Sequence, residues 1–135
     1  MKKVMCFGTF DVLHLGHVNY FQQAKQYGDY LIVVIARDLT KEKQGKTTTF
    51  SEQERLELVK SLKVVDEAVL GNNEDHFKII QEQKPDIICL GYDQGINENW
   101  LKENLSLRGL TNNIKRMAPY NPKRYKSSKI KNESN

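Results

Sequence analysis

The chain has 135 residues, 39% of them hydrophobic and 28% charged, with a formal net charge of +4. That length predicts one domain with a single core, and the balance excludes both a disordered segment and a membrane-embedded bundle. From Ile114 onward there are seven Lys or Arg and one acid, so the surplus is a C-terminal strip and the rest of the chain is slightly acidic.

The elements read in chain order as short β-rich runs alternating with longer helical stretches. The strands are Val4 to Phe7, Tyr30 to Ala36, Val64 to Leu70, Asp86 to Leu90 and, weakly, Asn113 to Ala118. The helices are His17 to Tyr27, Ser51 to Leu62, Asp75 to Gln83 and Asn97 to Leu107. Ser51-Glu52-Gln53-Glu54 has the pattern of a capping box, and Leu56, Val59 and Leu62 recur at the spacing of one buried helix face. Leu31-Ile32-Val33-Val34-Ile35 is apolar without interruption, as in a strand covered on both faces. The alternation predicts an α/β, Rossmann-like doubly wound domain spanning residues 1–135, with a five-stranded parallel sheet.

In such a fold ligands lie beyond the carboxyl ends of the strands. Gly8-Thr9-Phe10-Asp11 follows the first strand, Arg37-Asp38 the second and Gly91-Tyr92-Asp93-Gln94 the fourth. The sharpest signal is Gly8-Thr9-Phe10-Asp11-Val12-Leu13-His14-Leu15-Gly16-His17, where a strand runs through a glycine turn into two histidines at a helix start. Gly8 admits a ligand close to the backbone, and Gly16 leaves space for a phosphate between the rings. A helix N-terminus favours an anion, and imidazoles there donate hydrogen bonds to phosphate oxygens. No third His or Cys lies close enough in sequence for a zinc set, and the pattern is neither a dinucleotide fingerprint nor a P-loop.

These residues resemble the cytidylyltransferase-like nucleotidyltransferases that carry the HxGH motif. The resemblance extends through Tyr27-Gly28-Asp29-Tyr30-Leu31-Ile32-Val33-Val34-Ile35 and Glu54-Arg55-Leu56 to Ser127-Ser128-Lys129-Ile130. Two branches compete, the glycerol-3-phosphate cytidylyltransferases and the archaeal-type FAD synthases. Ala36-Arg37-Asp38-Leu39-Thr40, the segment from Leu62 to Gly71, and Lys84-Pro85-Asp86-Ile87-Ile88-Cys89-Leu90-Gly91-Tyr92-Asp93-Gln94 all resemble the second branch. The Arg-Thr-Glu-Gly that precedes the last motif in cytidylyltransferases is replaced by Lys123-Arg124-Tyr125-Lys126.

The resemblance implies adenylyl transfer from ATP to FMN, giving FAD and pyrophosphate by in-line attack on the α-phosphorus. It assigns His14, His17 and Lys46 to catalysis. It assigns Gly8, Thr9, Phe10, Asp93, Ser127 and Ser128, with both histidines, to the nucleotide. Asp11, Asp38 and Arg124 are candidates for the second substrate, and the basic strip 114–131 would close the site. Magnesium or another divalent ion is expected on the nucleotide phosphates, with no protein-held metal. Tyr92, Trp100 and Tyr120 are candidates for stacking on a flavin or an adenine, and Arg55 is read as structural or as part of a dimer interface. A homodimer in the cytoplasm is expected, with Cys6 and Cys89 as buried thiols and with neither nucleic-acid nor membrane binding. The rivals are a CTP-dependent glycerol-3-phosphate cytidylyltransferase and a nucleotide-binding module without catalysis.

Overall fold

The computed structural model describes residues 1–92 and 94–120. In chain order the elements are β1 (Lys3–Gly8), α1 (Leu15–Lys25), β2 (Tyr30–Ile35), α2 (Asp38–Lys43), α3 (Glu52–Lys60), β3 (Glu67–Leu70), α4 (Lys78–Gln83), β4 (Ile87–Leu90), α5 (Glu98–Leu107) and β5 (Asn113–Arg116). The strands form one sheet in the order β3-β2-β1-β4-β5, and every pairing is parallel. The chain winds outward from β1 through β2 to β3, then returns to place β4 on the other side of β1. The switch point therefore lies between β1 and β4, where the loops leaving the two strands diverge and open a crevice.

The alternation of side chains along the strands explains the uninterrupted apolar runs. Leu31, Val33 and Ile35 face a core with Tyr20, Phe21 and Ala24 of α1 and Val59 of α3. Ile32 and Val34 face the opposite core, with Ile80 of α4 and Leu101 and Leu105 of α5. Cys6 and Cys89 lie opposite one another in adjacent strands, and both are buried and free. Burial pushes the Cys89 thiol up to about 12, so it stays protonated and unreactive at neutral pH.

Several boundaries differ from the sequence reading, and one helix is absent from it. The helix α1 begins at Leu15, because His14 and not His17 is its cap. The strand β3 begins at Glu67: Val64 and Val65 belong to the turn before it, and the Asp66 carboxylate accepts the Leu31 N–H at 2.8 Å. The short helix α2, which has no buried residue and hence no apolar periodicity to reveal it, occupies the segment after β2.

Candidate active site

The segment after β1 is shaped by packing as much as by hydrogen bonding. Phe10 is only 5% exposed and takes a left-handed backbone conformation, φ 52°, which costs a non-glycine residue about 1 kcal/mol or more. Its ring folds back over Gly8, where a Cβ would lie 2.5 Å from the Phe10 ring tip; glycine is therefore required. The same ring packs against Phe21 and meets the His17 ring edge-on at 5.3 Å. The strained turn thus delivers a hydrophobic brace to the second histidine.

The two histidines cap their own helix. The Gly16 N–H donates to His14 Nδ1 at 3.1 Å, and the His14 N–H donates to His17 Nδ1 at 3.3 Å. Their rings stack at 3.9 Å between centroids with 20° between planes. Because each Nδ1 accepts, a neutral ring carries its proton on Nε2, and that hydrogen-bond pattern assigns both rings as Nε2–H donors. Burial, reinforced by His14, lowers the His17 pKa from 6.5 to about 3. His17 is therefore a neutral donor at physiological pH. The first turn of α1 contains no acidic residue, unlike those of α2, α3 and α5, so its N-terminal dipole is not already met by a side-chain carboxylate.

A cleft of about 660 Å³ opens at this helix end. Gly8, Thr9, Phe10, Asp11, His14 and His17 line it from the β1 side, and Gly91, Tyr92 and Gln94 from the β4 side. Lys46, Thr47 and Thr48 line it from the α2–α3 loop, joined by Lys41 of α2, and Tyr120 lies on the rim after β5. The geometry brings together every described residue expected to act on a nucleotide. Asp93, Arg124, Ser127 and Ser128, like Lys126, lie outside the described residues. Lys41 was missed because α2 was missed; a lysine five residues before Lys46, in a segment rich in basic and small residues, was the available signal.

The acids of the site serve as anchors. Asp11 lines the cleft, but it is 4% exposed and its two oxygens accept the backbone N–H groups of Thr49, at 2.8 Å, and Phe50, at 2.9 Å. It thereby ties the lysine-bearing loop to the histidine segment. Asp38 is not among the residues that line this cleft. It accepts the Arg55 guanidinium at 2.6 Å, the Glu52 N–H at 3.0 Å and the Thr48 hydroxyl at 3.4 Å. Partial burial pushes the Asp38 carboxyl up, but those three donors outweigh it and hold its pKa below the ordinary value.

Arg55 is fully buried within its own chain, which corrects its alternative placement at a dimer interface. Besides Asp38 it donates to the carbonyls of Thr9 and Ala36, both at 2.8 Å, and of Phe50 at 3.1 Å. One side chain therefore fixes the loops after β1 and β2 and the start of α3. Across the switch point, Gln94 Nε2 donates to the Phe7 carbonyl at 2.8 Å while its Oε1 accepts the Gly91 N–H at 2.7 Å. Arg116 of β5 holds the same loop through the carbonyls of Gly91, Gln94 and Ile96 at 2.7–2.9 Å.

This crevice of stacked imidazoles at a helix end, with lysines also lining it, suits an anionic ligand whose charge shifts during displacement. Residues 5–133 match the model of a family described as cytidylyltransferase-like. The chain belongs to the cytidylyltransferase-like family. A curated relative from Thermoplasma volcanium, named FAD synthase, is 45% identical over 131 residues, covering 97% of this chain and 92% of that one. A relative of the same name from Ferroglobus placidus is 47% identical over 117 residues, 87% of this chain and 76% of its own. Among solved structures, one described as a lipopolysaccharide core biosynthesis protein from Thermoplasma volcanium superposes with a TM-score of 0.87 at 47% identity, over 90% of this chain and 99% of that one. A pantoate-beta-alanine ligase from Francisella tularensis shares the family's fold at a TM-score of 0.66 and 17% identity, over 96% of this chain and 67% of its own.

Proposed function

We propose that the protein is an FMN adenylyltransferase, an FAD synthase that joins ATP and FMN to give FAD and pyrophosphate. The observation that carries this reading is the self-capped pair His14 and His17 in a cleft that lysines face, in a chain 45% identical over nearly its whole length to a protein named FAD synthase. The FMN phosphate is already an anionic nucleophile, so the site needs no strong base. Its work is to hold two phosphates in line and to stabilise charge at the α-phosphorus as pyrophosphate departs.

In this account His14 and His17 donate through Nε2 to oxygens on the α-phosphorus. Gly8, Thr9 and Phe10 bring the backbone against the nucleotide, and Lys46, with Lys41, meets the phosphates. Asp93 on the ribose, Ser127 and Ser128 on the outer phosphates and Arg124 near the acceptor complete the proposal. Asp11 and Asp38 act on the second substrate only through the loops they anchor. A magnesium ion held by the triphosphate itself would offset part of its charge. Among the described residues no three His, Cys, Asp or Glu side chains gather to hold a metal, and no helix is long and apolar enough to cross a membrane. A cytoplasmic homodimer is part of the proposal; light scattering on the eluted protein reads its mass directly.

Pyrophosphate release tests the function. Each nucleoside triphosphate is paired with FMN, glycerol 3-phosphate, phosphopantetheine or a sugar 1-phosphate. Release is expected with ATP and FMN. Turnover of CTP with glycerol 3-phosphate, and none with a flavin, would move the protein to the cytidylyltransferase reading.

A further inference from the structure

The helix that begins at the histidine pair makes a second contact near its far end, outside the chemistry assigned so far. Gln23 lies in the last turn of α1. Its side-chain amide pairs with one backbone residue on both sides. Nε2 donates to the Ala118 carbonyl at 2.9 Å, and Oε1 accepts the Ala118 N–H at 2.9 Å. This exchange of two bonds with a single residue imitates a neighbouring strand. Nε2 also donates to Asn19 Oδ1 at 2.7 Å, one turn earlier in the helix. Asn19 therefore sets which way round the Gln23 amide faces.

Ala118 sits where the sheet stops holding the chain. β5 pairs with β4 as far as Arg116 opposite Leu90, and the Met117 N–H still donates to the Leu90 carbonyl at 2.8 Å. β4 ends at Leu90, so the ladder extends no further. Met117 is 3% exposed and joins Tyr20 and Phe21 of α1 in the core, whereas Ala118 is exposed. Arg116, just before them, is committed to the carbonyls of Gly91, Gln94 and Ile96. Successive residues thus tie β5 to the loop after β4, to the end of β4 and, through Gln23, to the histidine helix. An exposed backbone held by a side chain, and not by a ladder, opens locally at low cost. The segment matters to the site because Met117, Ala118 and Tyr120 line the same cleft as His14 and His17.

We infer that Gln23 is a positioning residue of this cleft, its amide pair with Ala118 holding the wall formed by residues 117–120 in register with the helix that presents His14 and His17. Gln23 is not among the residues that line the cleft, so it acts through Ala118. The inference rests on the adenylyltransferase reading in naming ATP as the ligand whose fit is governed.

Gln23→Met keeps the length and helix propensity of the side chain and removes both bonds. Gln22→Met, at the exposed neighbouring position, is the control. Amide hydrogen exchange followed by NMR reads the contact itself. In Gln23→Met the Ala118 N–H should exchange at least about tenfold faster, while the Met117 N–H, held by Leu90, keeps its wild-type rate. The thermal unfolding midpoint should stay within a few degrees. The KM for ATP, and the dissociation constant of magnesium-ATP by calorimetry, should each rise about fivefold, with kcat held within about twofold; that is the scale of one or two neutral hydrogen bonds. Gln23→Glu keeps an acceptor for the Ala118 N–H but turns a carboxylate oxygen toward the Ala118 carbonyl, and should raise both constants at least as much. Gln22→Met should match the wild type.

An Ala118 amide that keeps its wild-type exchange rate in Gln23→Met overturns the inference. So does faster exchange with ATP binding unchanged, which would make the contact one of structure alone, and so does a loss that falls on kcat with ATP affinity kept. FAD formation by the wild type stands apart from all three results. Its absence would count against the function, while calorimetry with ATP would still decide the role of Gln23.

Discussion

At the scale of single residues, the histidine pair owes its chemistry to what each Nδ1 is already doing. Capping the helix occupies both Nδ1 atoms as acceptors and leaves Nε2–H as the group that meets phosphate in the proposed mechanism. Burial makes the neutral form of His17 the resting one. The unfolded chain protonates this side chain near pH 6.5 and the folded one only near pH 3, so between those values the unfolded state binds more protons. The stabilisation from keeping His17 neutral is complete above pH 6.5 and is lost as pH falls toward 3. In NMR titrations of the free protein, the His17 ring signals should stay at their neutral positions from pH 8 to pH 5. A midpoint near 6.5 would contradict the buried geometry. His17→Ala should leave the thermal unfolding midpoint within a few degrees and lower kcat at least a hundredfold, the loss expected for a donor used in the transition state; near-normal turnover would remove its role. The motif itself was legible in the sequence. Its tautomers were not, because they depend on the distances from the Gly16 and His14 N–H groups to the rings.

At the scale of elements, the five strands and four of the helices could be read from apolar runs and periodicity, because both faces of the sheet are covered and each covering helix has an apolar stripe. The helix α2 could not, since it buries nothing. Arg55 shows what periodicity conceals. It lies four residues before Val59, on the buried stripe of α3, and a charge in that position requires partners that only the folded chain supplies. Those partners come from the loops after β1 and β2, so α3 is the post to which the site is fastened. Arg55→Met removes the charged donor from the Asp38 carboxylate and one donor each from the carbonyls of Thr9, Ala36 and Phe50, and should cost about 3–5 kcal/mol in urea unfolding. Arg55→Lys should recover little of it, having no planar fork to reach four acceptors. A loss below about 1 kcal/mol in both variants would show that the loops hold themselves. Asp11→Asn tests the neighbouring tie. It removes an acceptor from the Thr49 or Phe50 N–H, should cost about 1–3 kcal/mol, and should raise the KM for ATP by letting the Lys46 loop drift. An unchanged KM would detach that loop from nucleotide binding.

At the scale of the whole molecule, a parallel sheet with its switch between β1 and β4 gathers, at one edge, residues as far apart in the chain as Gly8 and Tyr120. The alternation of strands and helices already sends Gly8 and Gly91 to one sheet edge; that Lys46 and Tyr120 border the same cleft is visible only in the folded chain. The same edge carries two clefts of different chemistry, one lined by imidazoles and lysines and one beside it lined by apolar and aromatic side chains. That difference could not be read from Phe77 and Trp100 alone, which lie before α4 and within α5 and meet only because both elements cover the same face.

The most direct measurement of the central claim is the fate of the ATP α-phosphorus. With that atom isotopically labelled and FMN as acceptor, the account predicts label appearing in FAD with one pyrophosphate released per FAD formed, and none of it in the His17→Ala variant on the same timescale. Label that stays in ATP, or leaves as free AMP with FMN unchanged, would contradict it.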